Sequence, residues 1–480
     1  MVGKQVVLAG LLVCPAGAVD WYVAGMGSDS NDGHSPATAF RNIQTAANLV
    51  QPGDVVHVLN GDYTNAYAGG PVVDITRSGT ANAWITFQAD PLQTPHIYPY
   101  GPAGYGWAGF SLHGGASYIQ IVGFDVRGPR ADVRFQDCIS DALQTNPNPA
   151  CNGNGITIDG RNDPVDGKPH HILIANNRVW QCPGGGIGTA EADYVTVVNN
   201  TVSENAWYSR YGNSGISFYL AYNFDNSTAT KMIISGNRVY DNRSLVDVAS
   251  TGTLSDGNGI IIDTSRNTGT GLAAYTGRFL IENNLSFNNG GGGITIFASD
   301  HVDAINNTTF KNSQVVPYGE IFVNQSGDVR VENNILYSGS GATTFNTYGA
   351  TSLSVDYNLY FNGTVNGASN PPGAHDLTSD PLFAVAETDQ ALADFRPLTG
   401  SPAIGSADPS VAPTVDLSQR PRSATAPSRG ALEPLPYPGL PGRVYRPTDQ
   451  AAPEHAAPSA PAGPHSTPQG RGVQTGISGW

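Results

Sequence analysis

Two glycine-rich segments of the sequence end in a carboxylate and share one pattern. GNGITID occupies residues 153–159 and GNGIIID occupies residues 257–263, so Asp159 and Asp263 hold equivalent positions. Asp256 stands directly before the second segment. Carboxylates serve as general acids and bases, and their oxygens are calcium ligands. The pattern predicts acid–base chemistry at Asp256 and Asp263, with Ca²⁺ held by the same two residues as a candidate cofactor.

Four further segments repeat the pattern with other residues at the acidic position. They are GGGIGTA (184–190), NSGISFY (213–219), GGGITIF (291–297) and GEIFVN (319–324). If each segment is a strand whose first isoleucine points inward, its neighbours point outward. One outward column would be Gly155, Gly186, Gly215, Gly259, Gly293 and Glu320, and a second would be Asp159, Ala190, Tyr219, Asp263, Phe297 and Asn324. A lane of glycine flanked by aromatic and acidic groups suits a sugar chain, although glycine could instead relieve crowding at tight corners.

Aromatic and basic side chains accompany these segments. We expect insertion loops in a repeated structure to build the wall of a binding site. Tyr219, Glu320 and Arg266 join the two aspartates as candidate catalytic residues, with Arg266 as a base or substrate clamp. The candidate substrate-binding residues are Trp207, Arg210, Tyr211, Asp159, Arg161 and Phe297.

A regular series of asparagines indicates the structure that positions these residues. Strand-like runs end at Asn177, Asn200, Asn237, Asn284, Asn307, Asn334 and Asn358, which are 23, 37, 47, 23, 27 and 24 residues apart. Repeats of 20–30 residues with short β-branched runs are typical of a solenoid. One asparagine in each turn could satisfy buried backbone groups through its side chain. The pattern predicts an all-β protein, a parallel β-helix with about 23 residues per coil.

The N-terminal part of the chain predicts a cap for this solenoid. Phe40, Ile43, Ala46, Ala47 and Val50 recur at helical spacing, so we expect a helix over 38–50, followed by a strand at 55–59. A helix across the open end would cover apolar interior and unpaired strand edge.

The cap also carries a family resemblance. Its segments resemble the N-terminal part of secreted right-handed β-helix proteins of the pectate-lyase-like superfamily, over roughly residues 20–430: Trp21–Val23, Gly27–Gly33, Phe40–Ile43 and Pro52–Asp54. The resemblance implies a right-handed helix, a polysaccharide substrate and, in the pectate lyases, a Lys or Arg base beside an Asp-rich calcium site. Here the glycine-rich segments contain no lysine and no DxxDD cluster. The family's catalytic residues therefore have no residue-by-residue counterpart.

Two reactions fit the candidate residues. A uronate lyase needs a base and a cation that neutralises the sugar carboxylate, whereas a glycoside hydrolase needs two neighbouring carboxylates. Asp159 and Asp263 are three coils apart in the predicted column and make a poor pair. The prediction is a polysaccharide lyase, with a hydrolase as the alternative, a C5-epimerase as a variant of the lyase, and a non-catalytic carbohydrate-binding adhesin as the third possibility.

Charge and targeting features limit location and partners. The 480-residue chain has a net charge of −15, which disfavours nucleic acid and anionic membranes as partners. Residues 1–18 resemble a secretory signal and no segment is long enough to span a membrane, so we expect a secreted or periplasmic monomer. Disulfide formation is then permitted, either Cys138 with Cys151 or Cys138 with Cys182. The predicted organisation is a leader (1–18), an N-terminal cap (19–60), the β-helix (61–375), a closing segment (376–434) and a disordered Pro/Ala-rich tail (435–480).

Overall fold

The computed structural model describes residues 17–366 and 373–435. The predicted leader, apart from residues 17 and 18, and the predicted tail, apart from residue 435, lie outside these ranges.

Parallel sheets make up almost all of the regular structure. One sheet has eleven strands, and a second has nineteen strands that form two columns. Every neighbouring pair within these two sheets is parallel. The chain passes from the eleven-stranded sheet to a short strand and then to a third strand in each coil. This is the parallel β-helix that the sequence predicts, and parallel crossovers are right-handed in about 98% of cases.

The eleven-stranded sheet comprises Asp20–Val23, Val55–Val58, Ile85–Ala89, Ser117–Val122, His170–Ala175, Asp193–Val198, Thr230–Ser235, Arg278–Glu282, Asp300–Ile305, Gly327–Glu332 and Thr351–Asp356. The short strands are Asp62–Thr64, His96–Tyr98, Asp125–Arg127, Arg178–Trp180, Thr201–Ser203, Arg238–Tyr240, Leu285–Phe287, Thr308–Phe310, Leu359–Val365 and Leu377–Thr378. The third column, which we call the groove strands, comprises Val73–Ile75, Ala108–Leu112, Asn154–Asp159, Ile187–Ala190, Ile216–Tyr219, Ile260–Asp263, Ile294–Phe297 and Ile321–Asn324. Ile335–Tyr348 contributes to both columns of the second sheet.

The seven predicted asparagines form one continuous hydrogen-bonded ladder. In each step the side-chain oxygen of one asparagine accepts from the backbone N–H and the side-chain amide of the asparagine in the coil before it. Each side-chain amide also donates to a strand carbonyl, as Asn237 does to Val197 at 3.0 Å. Asp376 ends the ladder by accepting from the Asn358 N–H at 2.6 Å. The ladder satisfies backbone groups that the sheets leave unpaired at this bend.

A second ladder, which the sequence reasoning did not predict, follows the short strands. It consists of Asn205, Asn242, Asn289 and Asn312 and ends at Glu320. The Glu320 carboxylate, only 1% exposed, accepts from the backbone N–H and the side-chain amide of Asn312. Glu320 therefore lies inside the solenoid. It does not face the groove, which is the outer surface of the groove strands.

Replacing Glu320 with glutamine is expected to stabilise the protein at alkaline pH. Burial raises the pKa of Glu320 from 4.5 to about 8, so the folded state keeps a proton that the unfolded chain releases. Wild-type stability should therefore fall as the pH rises from about 5 to 8, whereas a glutamine oxygen can accept both Asn312 bonds without charge. We expect Glu320→Gln to gain on the order of 2 kcal/mol at pH 9 and little at pH 5, measured by urea denaturation. An equal effect at both pH values would contradict this.

The glycine column was predicted to face outward, but it does not face the groove. A Cβ on Gly155 would lie 2.2 Å from a methyl of the buried Val179, and one on Gly186 would lie 2.5 Å from a methyl of Val202. The same site on Gly215 is 2.8 Å from Val239. The glycines thus turn toward the interior and relieve crowding at the corner, which was the alternative interpretation.

The N-terminal cap forms, but its helix is shorter than predicted. The α-helix spans Ile43–Ala47, after a 3₁₀ turn at Pro36–Thr38, and it contacts the first strands of both sheets. All five predicted apolar positions are buried. Helix does not extend back to residue 38 because Phe40 pairs with Val23, and because the Asp29 carboxylate binds the N–H groups of Arg41 and Asn42.

An insertion precedes the third groove strand. It contains the helices Phe135–Asp141 and Pro149–Asn152, and 3₁₀ turns lie at Arg130–Asp132 and Val165–Gly167. Cys138 and Cys151 form a disulfide across it, which settles the pairing in favour of the first alternative, and Cys182 is a buried free thiol. Within the described residues, no helix has both the length and the apolar character needed to cross a bilayer.

The C-terminal segment packs along the side of the solenoid. It contains the hairpin of Phe383–Val385 with Asp394–Pro397. The other hairpin in the described residues, Tyr100–Gly101 with Gly104–Tyr105, belongs to an early coil. Residues 383–432 bury a second apolar cluster against the outer faces of five short strands, and its members include Phe287, Phe310, Phe383, Phe395, Leu417 and Leu432. Arg422, almost fully buried, binds the Asn283 side chain at 2.8 Å and Glu433 at 2.9 Å.

Candidate active site

The register of the groove strands brings three candidate residues side by side. Tyr219 pairs with Asp263, and Asp263 pairs with Phe297 in the next coil. Neighbouring strands are about 4.8 Å apart, so the three side chains form a continuous patch on the outer face. This is the juxtaposition on which the sequence interpretation depended, and it is present.

Loops cover this patch. Tyr219 is 6% exposed and Asp263 is 4% exposed, although both point away from the interior. Thr295, on the same outer face, donates to the Asn258 side-chain oxygen at 2.8 Å. The segment that precedes the strand Ile260–Asp263 therefore lies over the next coil. The carboxylate of Asp263 thus lies in a recess, where it accepts a 2.5 Å hydrogen bond from the Thr264 hydroxyl.

Asp256 is the second carboxylate of this recess. It is partly exposed and adopts a positive φ of 64°, which lets the chain turn before the strand. The Ser255 hydroxyl donates to Asp256 Oδ2 at 2.8 Å and the Asn258 amide donates to Oδ1 at 3.2 Å. Burial and the neighbouring charge of Asp263 nevertheless raise the pKa of Asp256 to about 7. Near neutral pH, Asp256 can therefore act as a proton donor while remaining able to accept a proton.

Two tyrosines complete the surroundings of this pair. Burial and the charge of Asp256 raise the pKa of Tyr318 to about 12, and its hydroxyl lies 3.0 Å from the Ser255 hydroxyl. Burial and the charge of Asp263 raise the pKa of Tyr219 to about 12 as well. Both phenols keep their protons at neutral pH and can donate hydrogen bonds.

The arginines near the groove are engaged with the protein. Arg161 binds Asp159 through two contacts of 2.9 and 2.7 Å, and its charge also reaches the Tyr219 hydroxyl. Asp159 additionally accepts from the Arg161 N–H, as expected of a turn-capping aspartate. Arg266 binds Asp300, which begins the strand Asp300–Ile305 one coil further on, so it points to the turn and not to Asp263.

The lysines of the described residues lie elsewhere. Lys168 is buried against Glu191 at 2.5 Å. Lys231 is fully buried and binds Asp193 at 2.5 Å. Lys311 lies over the Phe310 ring, beside the short strands. None of the three reaches the recess that holds Asp256 and Asp263.

Three of the predicted substrate-binding residues, Trp207, Arg210 and Tyr211, lie in different places. Arg130 and Arg243 lie over the ring of Trp207 at 4.1 and 5.4 Å, so this ring is used within the protein. The Arg210 guanidinium donates to the carbonyl groups of Asp141 and Gln144, which fixes the insertion against the groove wall. Tyr211 lines an open part of the groove.

The carboxylate recess is a poor calcium site. Calcium takes six to eight oxygen ligands, whereas the recess offers two carboxylates, and the Asn258 oxygen already accepts from the Gly292 N–H and the Thr295 hydroxyl. Among residues 17–366 and 373–435, no group of three His, Cys, Asp or Glu side chains is arranged to hold a metal ion.

Solved structures with similar shapes include several carbohydrate-active proteins. Pectate lyase Pel9A shares 17% identity over 86% of this chain and 96% of its own, with a TM-score of 0.48. A rhamnogalacturonan lyase shares 14% identity over 78% of this chain and 93% of its own, with a TM-score of 0.45. The GH136 lacto-N-biosidase from Eubacterium ramulus shares 16% identity over 71% of this chain and 56% of its own, with a TM-score of 0.43.

No family model and no curated protein matches the sequence. Structural similarity at these levels says nothing about the reaction, which has to be inferred from the site itself.

Several groove residues were missed by the sequence reasoning. Tyr318 and Ser255 lie in loops where no strand pattern marks them, and Trp107 precedes a groove strand that lacks the Gly-x-Gly-Ile motif. Their only signal in the sequence is that each stands just before a groove strand, on the same edge of the sheet as Asp256.

Proposed function

We propose that the protein is a secreted polysaccharide-degrading enzyme that hydrolyses a glycosidic bond in this groove. The observation that supports this best is the Asp256–Asp263 pair, in which the charge of one carboxylate helps to keep the other protonated near neutral pH. Glycoside hydrolysis requires two carboxyl groups in different protonation states, one on each side of the scissile bond.

In the proposed mechanism Asp256 is the general acid. Its proton passes to the glycosidic oxygen as the bond to the anomeric carbon breaks, and the Asp263 carboxylate stabilises the positive charge that develops on the sugar. A water molecule then adds to the anomeric carbon, and the proton that it releases restores the protonated Asp256. Tyr219 and Tyr318 donate hydrogen bonds to the sugar, and the partly exposed Phe297 ring provides a stacking surface beside Asp263.

A uronate lyase, the first choice from the sequence, is the second candidate. It is favoured by Arg161, whose positive charge acts to lower the pKa of the Tyr219 hydroxyl. In a lyase, Tyr219 would have to be the base that removes the proton beside the sugar carboxylate. Two features weigh against it: Arg161 is bound to Asp159, and the pKa of Tyr219 is raised to about 12. C5-epimerisation shares this proton-abstraction step and the same objections.

The proposed location agrees with the cysteine chemistry. The disulfide between Cys138 and Cys151 ties down the insertion that Arg210 contacts. Disulfides persist in oxidising compartments outside the cytosol. A secreted or periplasmic location is therefore part of the proposal.

Product analysis separates the candidate functions. Incubation with pectate, alginate and a panel of neutral glycans, each with calcium or EDTA, is expected to release reducing ends without the ultraviolet absorbance of unsaturated uronates. Activity should persist in EDTA. Absorbing products would establish a lyase, a changed uronate epimer without cleavage would establish an epimerase, and binding without any product would establish an adhesin.

A further inference from the structure

A second recess, separate from the one that holds Asp256 and Asp263, lies further along the groove. Its volume is about 360 Å³, and it is lined by Trp107, Asn154, Thr157, Arg161 and Tyr211 among others. Asp159 at its edge is three strand steps from Asp263, through Ala190 and Tyr219. At about 4.8 Å per step the recess begins roughly 14 Å from the reacting carboxylates, so a bound polysaccharide could occupy both places.

The lining of the recess matches the chemistry of a sugar ring. Trp107 and Tyr211 are partly exposed aromatic side chains, and Pro71 and Pro147 add apolar surface. Asn154 and Thr157 supply polar groups between them. Sites for small ligands combine such apolar surfaces with a few placed polar groups.

The charges of the recess determine the class of sugar. Its lining contains one cation, Arg161, and one anion, Asp159, and these two bind each other at 2.7 Å. The Arg210 guanidinium nearby donates to two backbone carbonyls through its Nη1 atom. The lining therefore carries no net charge, in a protein with a net charge of −15, and a uronate carboxylate buried here would add a charge that the lining does not balance.

We propose that this recess binds an uncharged sugar unit, so that the substrate is a neutral polysaccharide. The inference rests on the proposed function, which places the reaction at Asp256 and Asp263. It identifies Trp107 and Tyr211 as binding residues that the reaction itself does not use.

Binding measurements on a catalytically inactive variant test the substrate class. Affinity electrophoresis with Asp263→Asn is carried out in gels that contain polygalacturonate, its carboxyl-reduced neutral form, alginate, xylan, arabinan, galactan or mannan. We expect retardation by at least one neutral polymer and none by the uronate polymers at the same concentration. Equal or stronger retardation by the uronate polymers, or none by any neutral polymer, would overturn the proposal.

Substitutions test the position of the site. Trp107→Ala and Tyr211→Ala, each made in the Asp263→Asn background, should weaken binding of the neutral polymer at least about tenfold, the equivalent of losing 1.4 kcal/mol of contact. Phe224→Ala removes an exposed ring from another turn and should leave binding unchanged. Circular dichroism checks that the variants fold. Unchanged affinity in both folded groove variants would refute the site.

The measurement also separates this inference from the proposed function. Retardation that depends on Trp107, in a wild-type protein that releases no product, would leave the neutral-sugar site standing and remove the hydrolase. Trp107→Ala and Tyr211→Ala are also made in the wild-type background. Hydrolysis of a neutral glycan at the wild-type rate by both variants would support the hydrolase and remove the neutral-sugar site.

Discussion

Asp256→Asn and Asp263→Asn are each expected to lower the rate of glycan hydrolysis by a factor of about 10²–10⁴, the usual contribution of a general acid or its charged partner. Asparagine keeps the shape of the side chain but can neither donate the proton nor carry the charge. The measurement is the initial rate of reducing-end release by purified folded variants. Activity within threefold of wild type in either variant would remove the carboxylate pair from the mechanism.

The pH profile provides an independent readout. Because Asp256 has to be protonated and its pKa is raised to about 7, wild-type activity should fall as the pH rises above about 7. In Asp263→Asn the neighbouring charge is lost, so any residual activity should fall at a lower pH. Asp247→Asn is the matched control, since Asp247 lies exposed in the loop that leads to Asp256 and should leave both rate and profile unchanged.

Asn284→Ala is expected to destabilise the fold by about 3–5 kcal/mol. Asn284 is fully buried in the middle of the first ladder, where its amide donates to Ile234 O and Asn307 Oδ1, and its oxygen accepts two bonds from Asn237. Alanine leaves these partners buried without replacements, at about 1–3 kcal/mol for each unsatisfied group. Urea denaturation followed by circular dichroism measures the loss.

The exposed residue Asn226 offers the control for this substitution. It lies in a turn away from both ladders, and Asn226→Ala should change stability by less than about 0.5 kcal/mol. A comparably small effect for Asn284→Ala would mean that the ladder adds little to the strand pairing.

The sequence predicted the coils well because asparagine marks one physical requirement in each of them. Every predicted bend needs a side chain that accepts and donates at once, so the spacing of Asn177 to Asn358 reveals the register directly. The adjacency of Tyr219 and Asp263 follows from the same register.

The direction of the glycines could not be predicted in the same way. The alternation of faces holds within a strand, but the chain bends between Gly259 and Ile260, and a shift of one residue moves a side chain to the other face. Glu320 was assigned to the groove for this reason. Its true position, inside the solenoid as the last acceptor of the second ladder, depends on Asn312 in the coil before it.

Pairings between distant residues were also beyond the sequence. Arg266 was predicted to act as a base or substrate clamp, but Asp300, 34 residues later, binds its guanidinium. The coupling between Asp256 and Asp263 joins a loop residue to the last residue of the strand that follows it. No periodic pattern of residues marks such contacts.

The side-on packing of the C-terminal segment has a consequence for the order of assembly. Arg422 reaches Asn283 across 139 positions of the chain, so the flank that carries Phe287 and Phe310 stays uncovered until residues 383–432 have been made. Stacking of coils can advance locally from the N terminus, but closure of this flank depends on a distant partner and is slow. We therefore expect docking of residues 383–432 to be a late step of folding, and the apolar surface around Phe287 and Phe310 to be exposed until it occurs.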